Sequence, residues 1–266
     1  MRTEMKRLLL SPIFYAAMLV FFLCLQGYSI PSYYRQWISP YGSPLEYRES
    51  ALSMTLGGIF FGGAILLLPF CASMGAAPLQ IDDLRSGMTD LHLIRSSLGK
   101  YIAQKLMSAF ISGFLIGSVA FALHAMIWNG LTLPYDPVAY PEHGGIFVPG
   151  TLFHDWAPVC HGLLIYLEIT VGIGFTAGVW AVIGMATAVW VPDKLLSVTI
   201  PMCLYKLWSA NISYYLFGVL VPNPSTLYND AQTVNGDVAT VMAYLIVLAG
   251  GCILYVLGLR KMVRHE

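Results

Sequence analysis

The chain has 266 residues, of which 57% are hydrophobic and only 11% charged, and its 14 basic and 14 acidic side chains cancel. Soluble domains carry about 25% charged residues, so this composition excludes a water-soluble globule, and it equally excludes a disordered chain or a disulfide scaffold. No basic tract is dense enough for a nucleic-acid partner. The five cysteines lie in or beside apolar stretches, which is typical of small buried side chains. The composition predicts an all-α polytopic membrane protein.

Six stretches are long and apolar enough to cross a membrane, which requires about 20 residues. Glycines recur in the second and fourth of them, where small residues allow helices to pack closely. We predict one transmembrane domain over residues 1–266, whose first span is retained because no small-x-small cleavage site follows it. The predicted spans are residues 12–30, 51–77, 102–131, 157–191, 195–221 and 238–259.

The positions of lysine and arginine set the expected orientation of these spans. If the N-terminus is cytoplasmic, 11 of the 14 basic residues lie on the cytoplasmic side. We therefore expect both termini in the cytoplasm. The outer connections, residues 31–50 and 132–156, are rich in aromatic residues and proline and are expected to form an interfacial cap.

The N-terminal segment, residues 1–11, places Glu4, Lys6 and Arg7 among leucines and ends before Pro12. Such a mixture predicts a short amphipathic helix lying along the inner leaflet and breaking before the first span.

The longest cytoplasmic connection, residues 78–101, is also amphipathic. Pro78 is expected to end the preceding helix, and Asp82 and Asp83 suit the N-terminus of a new one, where the helix dipole favours negative charge. Apolar residues then recur every three or four positions, which predicts two short helices with a joint near Gly87.

Two short patterns in these cytoplasmic segments carry a resemblance to a known family. A Glu-x-x-Arg-Leu…Ser-Pro segment precedes the first span, and the later loop has an acidic residue, Gly, Arg and then Tyr-x-x-x-Lys. The matching residues are Glu4, Arg7, Leu8, Ser11, Pro12, Asp83, Gly87, Arg95, Tyr101 and Lys105. With six spans and both ends inside, the chain resembles the membrane subunit (permease) of a type-2 ATP-binding cassette (ABC) exporter.

This resemblance implies that two permease copies, or a permease and a paralogue, form a dimer in a bacterial cytoplasmic membrane. Each would dock on a separate P-loop ATPase through residues 1–11 and the loop 78–101, and ATP-driven closure of the ATPases would move substrate outward. ATP and Mg²⁺ would bind that partner, since this chain has no Gly-x-x-x-x-Gly-Lys-Ser/Thr motif. The residues implied in ATPase coupling are Arg7, Asp82, Asp83, Arg85 and Gly87.

Two ionisable residues stand out deep inside predicted spans, where such groups are costly and are treated as functional hypotheses. Glu168 lies about 11 residues into the fourth span and Lys206 about 11 into the fifth, so both are expected near mid-membrane. We predict that they pair, directly or through water, either lining a substrate pathway or joining two spans. His161 and Asn211 are candidates for the same polar zone, and His124 is expected to make an interhelical hydrogen bond.

A metal site built from His143, His154, Asp155 and His161 is disfavoured, because Pro158 interrupts the helix that would align its ligands. A stand-alone ion-coupled transporter or channel using Glu168 is the main alternative function, although no inverted repeat is apparent. The chain has no HExxH or GxSxG motif that would support a membrane enzyme. A non-transporting scaffold or an immunity protein is a further alternative. An amphipathic peptide, a lipid or a drug would suit the apolar spans and aromatic outer loops, and membrane lipid is the expected surrounding.

Overall fold

The structure is a computed structural model that describes residues 2–39, 51–60, 63–89, 97–132, 163–209 and 236–265. Every regular element in these residues is helical. The helices are α1 (Arg2–Leu9), α2 (Pro12–Tyr33), α3 (Ala51–Phe60), α4 (Ala64–Met74), α5 (Ala77–Arg85), α6 (Leu98–Leu131), α7 (Leu163–Trp190), α8 (Lys194–Leu207) and α9 (Gly236–His265), and a π-helical turn (Tyr34–Ile38) extends α2.

Five helical segments are long and apolar enough to cross a membrane. Multi-pass membrane character is thus supported, and the expected spans in α2, α6, α7 and α9 have helical counterparts. Of the predicted fifth span, only α8 and the two residues after it are described, and residues 210–221 lie outside the described part of the chain. The five segments are Pro12–Ile38, Ala64–Arg85, Leu98–Leu131, Tyr166–Trp190 and Thr240–Met262.

The predicted second span, residues 51–77, is not one continuous helix. Helix α3 ends at Phe60 and α4 begins at Ala64, and Gly63 between them has a left-handed φ of 69°. Glycine adopts this conformation without the strain that a Cβ atom would add. Hydropathy predicts the span but not this break, because it records apolar character and not the backbone conformation.

Pro78 does not end the preceding helix, as the sequence suggested, but lies in the first turn of α5. Proline suits this position because its missing N–H would have no partner there. The two aspartates that follow therefore lie in the second half of α5 and not at its N-terminus. The predicted joint near Gly87 is confirmed, since α5 ends at Arg85 and Gly87 has a φ of 67°.

Helix directions follow from pairs of contacts along each interface. Helix α2 runs parallel to α6. Glu4 in α1, the helix that precedes α2, is bonded to Lys105 near the start of α6, and Gln26 in α2 is bonded to Trp128 near its end. Helix α7 runs antiparallel to α6 and α8, and parallel to α9. As a result, the ends of α1, α5 and α9 and the turn between α7 and α8 lie at one end of the bundle, where Leu8 and Leu259 share one apolar cluster.

The most extensive helix interface of the described residues joins α6 to α7. A Cβ atom added at Gly113 or Gly117 of α6, or at Gly174 or Gly178 of α7, would approach atoms of the facing helix to 3.0 Å or less. Only glycine lets the two backbones come this near, so the predicted role of the fourth-span glycines in packing is confirmed for Gly174 and Gly178.

Candidate functional site

Four charged side chains meet where α1, α5 and α6 converge, and we call them the buried ion cluster: Glu4, Arg7, Asp83 and Lys105. Asp83 is fully buried and accepts hydrogen bonds from the Arg7 guanidinium and from Lys105 Nζ. Lys105 Nζ also donates to Glu4 Oε2 at 2.9 Å, and its side chain is only 6% exposed. Two acids and two bases balance, so each buried charge has a partner, as burial requires.

Local sequence explains how each element presents its charges. Glu4 and Arg7 are three residues apart and therefore share one face of α1, and Leu8 beside them is buried in the cluster that contains Tyr101. On α5, Asp83 lies on the packed face with Gln80. Lys105 lies two turns into α6, on the side turned towards α1 and α5.

The Arg7 guanidinium remains charged throughout the accessible pH range. Its hydrogen bond to Asp83 raises the pKa of Arg7, although partial burial opposes the shift. A pKa that is higher in the folded protein than in the unfolded chain adds to the free energy of unfolding. This contribution is fully present when the pH is below the pKa of the unfolded chain, and it is lost as the pH rises through the pKa of the folded protein. For arginine both values lie in strong alkali, so this ion pair does not titrate from the arginine side near neutral pH.

A second polar network adjoins the cluster and reaches α9. Lys105 Nζ lies 5.7 Å from the centre of the Tyr101 ring, and Tyr101 Oη is 3.4 Å from Thr89 Oγ1. From α9, the Tyr255 hydroxyl donates to Gln80 Oε1 at 3.3 Å. The Gln80 amide nitrogen has no partner among the described residues, and Gln80 lines a small cleft together with Glu4 and Lys105.

The remaining residues implied in ATPase coupling contact another part of the chain. Asp82 pairs with Lys194 at 2.7 Å, and Arg85 Nη2 donates to the carbonyl of Pro192 at 2.7 Å. Both contacts join the end of α5 to the turn between α7 and α8. The structure therefore brings Arg7 of α1 and Asp83 of α5 together. It places Asp82 and Arg85 on the outer surface of α5.

Sequence reasoning gave Glu4 and Lys105 no coupling role, although both belong to the buried ion cluster. Glu4 contributes to the predicted amphipathic N-terminal helix and to the family pattern, and Lys105 contributes to the family pattern. The available signal was a lysine within an apolar span, which needs a counter-charge, together with the Glu4–Arg7 spacing on α1.

The predicted direct pair of Glu168 and Lys206 is not formed within the described residues. The Lys206 side chain is exposed, and its neighbour Tyr205 stacks edge-on against Trp180 with ring centres 5.6 Å apart. Lys206 is thus level with Trp180, which is 12 residues, or about 18 Å, from Glu168 along α7. The prediction was wrong because it counted depth from the ends of the apolar stretches, whereas the turn after Trp190 fixes the register of α7 against α8.

His124 does not make the interhelical hydrogen bond that the sequence predicts. Its side chain is fully buried near the Thr55 backbone, yet neither ring nitrogen makes a hydrogen bond of normal geometry within the described residues. The ring instead fills the space beside Gly58, where an added Cβ atom would lie 2.7 Å from Nε2. Packing therefore decides this position.

Several predicted site residues lie outside the described part of the chain. They include His161 and Asn211 of the proposed polar zone, Arg95 of the family pattern, and the candidate metal ligands His143, His154 and Asp155. In the described ranges no group of three metal-ligating side chains comes together.

Comparison of the chain with protein-family models, with curated proteins and with solved structures finds no match.

Proposed function

We propose that the chain is the permease subunit of an ABC exporter, without an ATPase site of its own. The observation that carries the proposal is the buried ion cluster, which ties the N-terminal helix α1 to α5 and to the long helix α6. In an ABC exporter, a push on cytoplasmic elements must be transmitted to the spans. A cluster of paired buried charges provides such a rigid connection, because separating its members would strand a charge in an apolar environment.

A second connection supports the same mechanism. Asp82 and Arg85 join the outer surface of α5 to the turn between α7 and α8. Motion of α5 would therefore reach α6 through Asp83 and Lys105, and α7 and α8 through Arg85. In this proposal the end of the bundle formed by α1 and α5 faces the cytoplasm, both termini lie there, and the membrane is the bacterial cytoplasmic membrane.

The partners follow from the mechanism. A separate P-loop ATPase would bind ATP and Mg²⁺ and dock against α1, α5 and the joint at Gly87, and a second permease copy or a paralogue would complete the transporter. ATP-driven closure of the two ATPases would then tilt the connected helices and move substrate outward.

The test is co-purification in mild detergent of the tagged chain expressed with the ATPase encoded beside it. We expect about one ATPase per permease. The variant Arg85→Glu should reduce transport-coupled ATP hydrolysis several-fold, because it reverses a charge on the exposed surface of α5. Arg35→Glu is the matched control, since Arg35 is an exposed arginine at the opposite end of the bundle.

Two results would contradict the proposal. If no ATPase is recovered although it is expressed, a stand-alone transporter becomes the better explanation, and Glu168 becomes the first residue to titrate. If complexes of the ATPase with the Arg85→Glu and Arg35→Glu permeases hydrolyse ATP at the same rate and transport at the same rate, α5 is not the coupling element.

A further inference from the structure

Helix α8 carries a polar stripe on the side turned away from the bundle. Val198, Pro201 and Tyr205 form its packed face and are buried. Thr199, Cys203 and Lys206, spaced four and three residues apart, share another face, on which Cys203 and Lys206 are exposed.

The depth of this stripe makes its polarity unusual. Lys206 lies 12 residues after the start of α8, or about 18 Å along the axis, and is level with Trp180 in the interior of α7. The flanking side chains Leu204 and Leu207 are exposed and apolar, as expected for a surface inside a membrane. A lysine at this level is costly against lipid and normally faces water or a partner charge.

No acidic side chain of the described residues forms an ion pair with Lys206. A lysine at this level is therefore stabilised where water reaches it. An anion that enters with the water would supply the missing counter-charge.

We infer that the stripe of Thr199, Cys203 and Lys206 lines a water-filled pathway in which Lys206 binds an anionic group, a carboxylate or a phosphate, of the transported molecule. This inference rests on the proposed transport function and adds a substrate class to it. Cys203 and the half-buried Thr199 continue this face towards the end of the bundle that holds the ion cluster. The Thr199 hydroxyl donates to the Leu195 carbonyl at 2.8 Å and leaves its oxygen as an acceptor on this face.

The native Cys203 thiol reports on this face, because it lies one turn from Lys206. In a variant whose other four cysteines are replaced by alanine, membranes are treated with an anionic reagent (sulfonatoethyl methanethiosulfonate) and, separately, with a cationic one (trimethylammonioethyl methanethiosulfonate). We expect both to modify Cys203, and the anionic reagent to gain about tenfold relative to its rate with a free thiol, since a cation about 6 Å away favours one sign and opposes the other.

Lys206→Gln should abolish this preference, and Lys206→Arg should retain it. A cysteine placed at Val198, on the packed face of the same helix, in a variant that also has Cys203→Ala, is the matched control and should react with neither reagent. If neither reagent modifies Cys203, the face contacts lipid or dry protein and the inference fails. An unchanged preference in Lys206→Gln would overturn it as well.

The labelling result and the proposed function can fail separately. If the ATPase co-purifies but Cys203 shows no anion preference, only the anionic pathway is refuted. If the preference is present but no ATPase is recovered, the exporter proposal is refuted and the anion-attracting face stands.

Discussion

At the scale of single residues, two adjacent aspartates of α5 have different environments. Asp83 is fully buried between two cations, whereas the Asp82 side chain is 43% exposed and pairs with an equally accessible Lys194. The residue pattern treated them as equivalent candidates. Their position on the helix separates them, because consecutive residues point about 100° apart and only one of them can face α1 and α6.

This difference predicts unequal losses of stability. Asp83→Asn should lower the free energy of unfolding by about 3 kcal/mol, the lower end of the range for a broken buried ion pair. Buried Lys105 loses one of its two carboxylates and keeps Glu4, and Arg7, whose side chain is 40% exposed, loses its carboxylate. Asp82→Asn should cost at most about 1 kcal/mol, as is usual for an exposed pair. Thermal unfolding of both variants in the same detergent measures the difference.

A double variant tests whether the loss comes from the stranded lysine. Asp83→Asn combined with Lys105→Met should be less destabilised than the sum of the two single variants. Equal effects of Asp82→Asn and Asp83→Asn, or simple additivity in the double variant, would show that the cluster does not act as a unit.

Among the secondary-structure elements, the contact of α3 with both α2 and α6 requires a glycine at position 58. A Cβ atom at Gly58 would lie 2.4 Å from the carbonyl oxygen of Leu25 and 2.7 Å from His124 Nε2. The backbone oxygen cannot move aside without shifting α2, so the three helices would have to separate.

Gly58→Ala should therefore destabilise the protein by about 1–3 kcal/mol, the range expected for overpacking. Gly250→Ala is the matched control, because nothing lies within 4 Å of a Cβ atom at that position of α9. Alanine also favours the helix over glycine, so the control should be neutral or slightly stabilising. Unfolding temperatures that fall equally in both variants would contradict the close α2–α3 contact.

At the scale of the whole molecule, the alternation of helix directions predicts where the chain ends lie relative to the membrane. Since Leu8 and Leu259 belong to one apolar cluster, reporters fused before α1 and after α9 should give the same result. The distribution of lysine and arginine predicts that both ends are cytoplasmic. At either end, a fusion to green fluorescent protein should therefore fluoresce and a fusion to alkaline phosphatase should be inactive. Active phosphatase at either end would refute the proposed orientation.

The order of amino acids is enough to predict that the chain is a helical membrane protein and where most of its long helices lie. These follow from local composition, because a membrane helix needs about 20 apolar residues and little else. The amphipathic N-terminal helix and the joint at Gly87 were also readable, since charge spacing and a glycine between periodic segments are local signals.

The pairing of the charges and the alignment of the helices depend on contacts between distant parts of the folded chain. Asp83 is 76 positions from Arg7 and 22 from Lys105, and no local pattern encodes such a contact. Predicting the break at Gly63 requires its backbone dihedral angle. Predicting the separation of Glu168 from Lys206 requires the register of α7 against α8. Hydropathy fixes which segments leave water, but contacts between distant segments fix their level and rotation, and those contacts determine the candidate site.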